Sequence, residues 1–439
     1  MKKYTLLLLA LLPLYILNSQ PVYKGILLKN FNQYQPGDTL KVYGAQSDYP
    51  DHPKFLVKSH YGYIYIGSES IKVMDEGMDY WEKLWFENRA AYIHNNGWKI
   101  KQRDLLMNDF RTYMTEMEKN ELLIRDEFIA DYFRQLVLMI HPGKLIRPDE
   151  KQIDIVILSS PESEIFAFNC GTIVITTSKI AEIENEEQLV KLLSRYVAHL
   201  VLEDNLDNLI DEMEAQEAAD FFVVVATIAS AIAMTSSNIK RGTSYRLGDA
   251  LFVGDLTSTI SHALISSIGA DYTCQQVSRA KHNAAITVSN LQAQGVQFNE
   301  GKAYTIRITP VLKNLAWQSY YQNDYDRSRE ILDRIFEIGI EDEEDYLLLA
   351  KLYRATIGNE EGLQLALDAI NKAEDLDDFN FVEVLFEKGM ILMWMGEYLE
   401  AKIAFNEFLS VTEEVGGDPD EIKEAKRMVI RCGQLLGER

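Results

Sequence analysis

The chain has 439 residues, of which 47% are hydrophobic and 25% charged, so it is long and apolar enough for about two to four packed domains. Its formal net charge of −23 argues against a nucleic-acid partner, because nucleic-acid binding requires a cationic surface. The same acidic excess disfavours binding to anionic lipid headgroups. The three cysteines, Cys170, Cys274 and Cys432, are far apart and are predicted to be buried small side chains, with one disulfide among them as an alternative.

Residues 1–20 have the pattern of a secretory signal peptide. Lys2 and Lys3 precede an apolar stretch, Leu6–Ile16, that is too short to cross a bilayer. Ser19 provides a small residue near a cleavage point, and no cysteine follows that would indicate a lipoprotein signal. We therefore expect a periplasmic or secreted protein after cleavage of this peptide.

Residues 21–74 are predicted to form a small β domain. Apolar residues alternate in Thr39–Tyr43 and in His60–Gly67, and Gln35–Asp38 has the composition of a turn. The pattern resembles a small bacterial SH3-like barrel. Such a domain is either a module that binds peptides or cell wall, or a structural cap on the next domain.

Residues 75–144 are predicted to be a helical linker region, since apolar residues recur at spacings of three and four and Pro142 and Gly143 end the pattern. We expect its aromatic residues to pack in the core. These are Tyr80, Trp81, Trp85 and Phe86.

The stretch from Ile153 to Asn205 alternates strands with helices. Ile153–Leu158 has the continuous apolar run of a buried strand. Two further strands flank the turn Asn169–Gly171, and a short helix follows from Ser178 to Glu184. Asn185 is predicted to cap a longer helix that runs past His199.

This order of elements resembles the HtpX-type zinc metallopeptidases, relatives of the CaaX prenyl protease, in their periplasmic form. The resemblance covers roughly Phe133 to Gly295. It is carried by Ile165–Ala167, Gly171–Ile180 and Asn185–Leu189, which follow the strand, hairpin and helix pattern of that family. It implies a zincin-like core at residues 145–308, in which a helix with the motif H-E-x-x-H supplies two zinc ligands and a general base.

The residues aligned with that motif are Arg195, Tyr196, Val197, Ala198 and His199, so only the second histidine is kept. A guanidinium has no lone pair for a metal, and a phenol with a pKa near 10 is protonated at neutral pH. The resemblance also places Lys281 where the family has its third ligand, a glutamate. We therefore predict a degenerate site with no catalytic residues, no cofactor and no zinc.

An alternative metal site would combine His199, His262 and His282, with Glu203 one turn beyond His199. His282 lies one residue from the position implied by the family, which is a rotation of about 100° on a helix. This alternative is therefore the weaker of the two interpretations.

The insert between the two motif helices contains two apolar segments. Residues 221–235 carry no charge but are shorter than the ~20 residues that span a bilayer, and residues 248–272 are rich in small residues. The two segments are predicted to pair as a buried hairpin. The alternative is peripheral membrane contact through residues 221–235.

Residues 309–439 resemble a tetratricopeptide array of about three units. The third unit has the clearest spacing of small and large residues, which lets paired helices approach closely. Its positions are Gly389, Leu392, Gly396, Tyr398, Ala401 and Phe405. We expect Asp418–Leu436 to be a capping helix, and Trp317, Trp394 and the methionines at 390, 393 and 395 to be packing residues.

The predicted fold class is therefore α+β and mostly helical, with a degenerate metallopeptidase-like core between a small β domain and an α-solenoid. Three functions follow. The first is an inactive peptidase homologue that binds envelope proteins or unfolded peptides in its cleft and helical groove, with an edge strand that pairs with peptide. That strand comprises Glu164, Ile165, Phe166, Ala167 and Phe168. The second is an active zinc peptidase with an atypical site, and the third is a purely structural scaffold.

Overall fold

The computed structural model of the protein describes residues 23–46, 54–60, 62–67, 69–74, 79–88, 97–143, 145, 152–215, 271–357, 359–376, 382–415 and 419–437. Within them the chain is mostly helical, with a small β region towards the N-terminus and a helical region towards the C-terminus. The predicted fold class is confirmed at this level. The predicted signal peptide, His262 and all but the end of the apolar insert lie outside the described residues. None of the helices that the structure describes is long and apolar enough to cross a lipid bilayer.

The N-terminal β region is an antiparallel sheet with the strand order β4-β3-β2-β1-β5. Its strands are β1 (Tyr23–Leu27), β2 (Thr39–Gln46), β3 (Lys54–Ser59), β4 (Gly62–Gly67) and β5 (Ile71–Met74). Phe55 and Val57 are buried at alternate positions, as a sheet with one face in the core requires. Gly25 lets β1 approach its neighbours, because a Cβ there would lie 2.5 Å from Ile71 Cδ1.

Three helices follow the β region: α1 (Tyr80–Asn88), α2 (Gly97–Lys119) and α3 (Glu127–Ile140). Trp81 and Trp85 are buried, as predicted. The chain leaves α2 through Glu121, which has the left-handed φ of 56°, and the side chain of Asp126 then accepts from Ile129 N to cap α3.

The central domain contains a three-stranded sheet with the order β6-β8-β7. Strand β6 (Asp154–Leu158) is parallel to β8 (Thr172–Thr176), whereas β7 (Ile165–Phe168) is antiparallel to β8 and forms an edge. The predicted turn between β7 and β8 is present, with Gly171 at a φ of 97°. Helix α4 (Thr177–Ala181) follows directly.

Helix α5 (Glu186–Leu202) begins at the predicted cap, where the side chain of Asn185 accepts from Gln188 N. It is followed at once by α6 (Asp204–Ala215), and α7 (Cys274–Ala293) packs against it. Cys274 is exposed in the first turn of α7, so its predicted burial is wrong. Cys170 and Cys432 are buried, and all three cysteines are free.

The described residues from 301 to 437 form three helical hairpins and a final helix. The helices are α8 (Gly301–Tyr321), α9 (Tyr325–Phe336), α10 (Glu343–Thr356), α11 (Glu360–Leu376), α12 (Val382–Met395), α13 (Tyr398–Val415) and α14 (Pro419–Leu435). Gly389 of α12 faces the ring of Phe405 on α13, and a Cβ at Gly389 would lie 2.7 Å from that ring. This is the close helix approach that the predicted spacing requires.

Helix α8 includes residues 308 and 309, between which we predicted the boundary of the central domain and the helical repeats. It packs against α4 of the central domain and against α9 of its own hairpin. Two arginines of α9 strengthen this junction. Arg327 donates to Pro161 O at 3.2 Å, and Arg334 donates to Ala181 O at 2.8 Å. The first hairpin is therefore anchored to the central domain by polar as well as apolar contacts.

Candidate functional site

The end of α5 determines the surroundings of His199. Glu203 adopts left-handed backbone angles (φ 53°, ψ 38°), and its N–H donates to the carbonyl groups of His199 and Leu200. This conformation is uncommon for a residue with a side chain. Because the chain turns sharply there, Asp204 lies beside the imidazole, with Oδ2 2.7 Å from His199 Nδ1. The acidic side chain at this nitrogen is thus Asp204. From the sequence we had considered its neighbour Glu203 instead.

Two further residues complete a buried cluster around His199. The phenol ring of Tyr272 stacks on the imidazole, with centroids 3.6 Å apart and planes inclined by 2°. Its hydroxyl donates to Asn205 Oδ1 at 3.0 Å. Arg279 of α7 donates to Asp204 Oδ1 at 2.5 Å. His199 is 4% exposed and Asp204 1%, so solvent hardly reaches these two side chains, whereas the Arg279 side chain is 37% exposed.

The structure brings few of the predicted site residues together. Tyr196 lies near His199, with ring centroids 5.9 Å apart, and burial raises its pKa to about 12, so the phenol is protonated at neutral pH. Arg195 is half-buried. Lys281 and His282 are both exposed, on the outer side of α7. The cation that reaches the cluster is Arg279, two residues before Lys281.

The donors around His199 do not fit a zinc ion. A zinc site in a protein needs three or four deprotonated nitrogen, sulfur or oxygen ligands with free lone pairs. Beside His199 the carboxylate of Asp204 is held by Arg279, and the face of the imidazole is covered by Tyr272. Across the residues that the structure describes, His, Cys, Asp and Glu form no group of three that could hold a metal.

The edge strand β7 is largely covered. Phe166, Ala167 and Phe168 are buried, and Ile165 is half-buried. The ring of Phe168 packs at 4.9 Å from that of Phe110 on α2. The register with β8 turns the backbone of Ala167 outward, and its carbonyl accepts from Asn205 Nδ2 at 2.8 Å. Glu164, at the start of the strand, is bonded through its backbone to Thr176.

A cleft of about 770 Å³ lies where the first helices of the hairpins face the loop before α3. This volume is within the ~300–1,000 Å³ typical of ligand sites. On α8 the lining residues recur at helical spacing and so form one stripe along the helix. They are Pro310, Lys313, Asn314, Trp317 and Tyr321. Glu344 of α10, Glu383 of α12 and the loop from Glu121 to Asp126 supply the rest of the lining.

The cleft combines aromatic and apolar surface. The rings of Trp317 and Tyr321 stack at 5.7 Å with an inclination of 29°. Leu123 and Ile124 add half-buried aliphatic side chains from the loop before α3. Ser159 donates to Asn314 at 2.7 Å, which connects the cleft stripe to the central domain.

Acidic residues outnumber basic ones in the cleft lining. The acidic residues are Glu121, Asp126, Glu344 and Glu383, and the basic ones are Arg125 and Lys313. Both basic side chains are already paired with carboxylates outside the lining. Lys313 lies 2.9 Å from Asp345 and also contacts Asp342, and Arg125 contacts Glu118. The net electrostatic character of the cleft is therefore negative.

The inner face of the hairpins continues along α12 beyond the cleft. Glu387 and Trp394 follow Glu383 at spacings that place them on the same side of the helix. Glu387 is buried, paired with Arg354 and 3.5 Å from Lys351 of α10. The Arg354 guanidinium lies 5.7 Å from the centroid of the Trp394 ring, which is 55% exposed. The predicted packing role of Trp394 is therefore wrong.

The α8 stripe and the loop before α3 were not predicted as functional residues. The stripe has a readable signal, because Pro310, Lys313, Trp317 and Tyr321 share one helical face. The loop has no such signal, since its contact with α8 joins residues almost two hundred positions apart. A scan of the sequence against protein-family models finds no match, and neither does a search of curated proteins.

Proposed function

We propose that this protein is a non-catalytic relative of the HtpX-type zinc metallopeptidases that binds protein segments or peptides of the cell envelope. The peptide is held in the cleft formed by α8, α10, α12 and the loop before α3. The N-terminal pattern at residues 1–20 supports a periplasmic or secreted location. The helical hairpins serve as a tetratricopeptide-like array, and the zincin-like central domain supports them.

The observation that carries this proposal is the cleft. Its lining comes from four separate elements, and it contains a stacked aromatic pair, aliphatic side chains and charged groups. Concave sites that combine apolar surface with a few polar groups are typical of ligand binding. The first helices of stacked helical hairpins form an extended inner surface on which a peptide can lie.

The proposal that catalysis is absent rests on chemistry at His199. Hydrolysis by this class of enzyme needs a metal-bound water and a general base. Tyr196 stands at the position of the base and is protonated at neutral pH. Tyr272 covers the face of the imidazole, and Arg279 holds the carboxylate of Asp204 beside it. His199 and Asp204, at the centre of this cluster, are buried.

Peptide binding in the cleft is tested with an array of unfolded envelope-protein segments and with solution affinities for the segments that bind. The Tyr321→Ala variant should weaken binding by about tenfold or more, because it removes an aromatic contact surface. Tyr398→Ala, which changes the same residue type on α13, should leave the affinity unchanged. Equal effects of the two variants, or an array with no bound segment, would contradict the proposal.

The absence of catalysis is tested by measuring zinc content and casein cleavage of the mature protein. We expect neither stoichiometric zinc nor proteolysis. Zinc that binds one to one and is lost in His199→Ala would show that the peptidase site is functional.

A further inference from the structure

We propose that the cleft selects extended segments that carry lysine or arginine side chains. This inference rests on the proposed function, because it names the chemical class of the peptide that the same cleft holds. It is based on the charge of the lining, on the pairing of the two lining cations and on the exposed face of an aromatic pair.

The acidic side chains are placed on three sides of the cleft. Glu344 lies in the first turn of α10, Glu383 in the first turn of α12, and Glu121 in the loop before α3. Among the described residues, the structure shows no ion pair for Glu344 or Glu383. Partial burial and the neighbouring carboxylates of Asp342, Glu343 and Glu383 raise the pKa of Glu344, while Lys313 lowers it. A bound cation would relieve this repulsion between like charges.

Lys313, the more buried of the two lining cations, cannot serve an acidic ligand without a loss elsewhere. Lys313 has a side chain that is only 17% exposed and is shared between Asp342 and Asp345. Burial lowers its pKa, but these two carboxylates raise it by more, so the ammonium is firmly charged and neutralised within the protein. An acidic peptide would have to compete with both carboxylates and would meet Glu344 and Glu383 nearby.

The aromatic pair provides a second interaction with cations. Trp317 and Tyr321 are half-buried and present ring surface to the cleft. A lysine or arginine group over such a ring is attracted by its negative face, and the aliphatic part of either side chain packs on the same surface. The protein already uses this contact nearby, where Arg354 lies 5.7 Å from the Trp394 ring.

The test compares three labelled peptides, drawn from one sequence that binds the wild-type protein, which differ only in having Lys, Gln or Glu at the same positions. Affinities are measured by fluorescence anisotropy at low and high salt. We expect the order Lys, Gln, Glu from tightest to weakest. The affinity for the Lys peptide should fall as salt screens the charges, and that for the Gln peptide should hardly change.

A charge-neutral variant places this preference in the cleft. Glu344→Gln combined with Glu383→Gln should weaken binding of the Lys peptide by about fivefold to tenfold, and should leave binding of the Gln peptide unchanged. The matched control is Glu330→Gln combined with Glu407→Gln, which makes the same charge change at exposed positions on α9 and α13. This control should bind the Lys peptide like the wild type.

Other results would contradict either the charge preference alone or the proposed function as a whole. If the Gln or Glu peptide binds as tightly as the Lys peptide, the charge preference is wrong and the proposed function stands. If the Lys preference is unchanged in the Glu344→Gln, Glu383→Gln variant, the selecting charges lie outside the cleft and this inference fails. If the peptide array yields no segment that binds, no such peptide series can be made and the proposed function itself fails. If the variant does not fold, the wild-type salt series still tests the charge preference, because equal affinities for the Lys and Gln peptides at low salt would contradict it.

Discussion

Asp204 has two partners at the centre of the molecule, since one carboxylate oxygen faces His199 and the other faces Arg279. A buried carboxylate is costly unless it is paired and hydrogen-bonded, and this one has both kinds of contact. The cluster links the end of α5 with α7, which lie far apart in the sequence. These contacts hold the two helices together at the position where the resemblance implies a metal.

Asp204→Asn should lower the free energy of unfolding by about 2–3 kcal/mol. The variant keeps the shape of the side chain but removes the negative charge that holds Arg279. The amide N–H₂ group of the new side chain then faces a hydrogen-bond donor and cannot accept a hydrogen bond from it. The cost is below that of a fully buried pair because the Arg279 side chain is 37% exposed. Urea unfolding measures the change.

The control for this variant is Asp211→Asn, an exposed residue of the same helix α6. It should change stability by less than about 0.5 kcal/mol. Equal losses in the two variants would show that Asp204 does not hold α5 and α7 together.

For individual residues, the sequence predicted local features better than contacts between distant parts of the chain. The Asn185 cap and the turn at Gly171 depend on a few adjacent residues, so their signals are readable. The pairing of Asp204 with Arg279 joins residues 75 positions apart and needs the tertiary fold. The left-handed conformation of Glu203, which moves Asp204 beside His199, has no preference in the sequence that would reveal it.

Helix pairs are the repeating elements of the C-terminal region, and their separation depends on small residues at the contact. Gly389 is the clearest case, because Phe405 occupies the space where a side chain would lie. Phe405 is itself fully buried between the helices. The spacing seen in the sequence therefore reflects a real steric requirement of α12 and α13.

Gly389→Ala should destabilise the protein by about 1–2 kcal/mol. The new methyl group overlaps the Phe405 ring, and this cost exceeds the gain of up to ~1 kcal/mol in helix propensity. Thermal or urea unfolding measures the effect.

Phe405→Leu provides the matching test, since it frees space for the added methyl group. The double variant should lose less stability than the sum of the two single variants. Additive losses would indicate that the two residues are not in contact, contrary to the structure.

In the whole molecule, the helical hairpins differ in how far they pack against the main hydrophobic core. One cluster of buried residues extends from the β region through the central domain into α8, α9 and α10. Further clusters lie between α10, α11 and α12 and between α12, α13 and α14. The first hairpin thus belongs to the main core, whereas the later hairpins are stabilised mainly by their neighbours.

Hydrogen exchange should follow this division. Amides of α12, α13 and α14 should exchange through local opening before those of α5 and α8, whose opening requires the main core to unfold. Exchange measured by mass spectrometry on the intact protein resolves these segments. Identical protection in α8 and α13 would show that the molecule opens as a single cooperative unit.

The small β region towards the N-terminus and the helical region towards the C-terminus could be read from the sequence, because composition and periodicity change along the chain. The cleft could not, because its lining combines a loop near residue 121 with helices that begin at 301, 343 and 382. From the sequence we predicted binding in a central cleft and in the helical groove, but we could name candidate residues only on β7, where the strand pattern is strong. In the structure that strand is covered by aromatic side chains and by Asn205.

Helix α8 limits how the chain can be divided for expression. It packs against the central domain through Ser159 and α4, and it is also the first helix of the hairpins. An expressed fragment that begins at residue 309 would cut this helix near its middle. A fragment that begins before α8 keeps the helix whole but exposes the surface that packs on the central domain. The hairpins therefore cannot be separated like modules joined by a flexible linker.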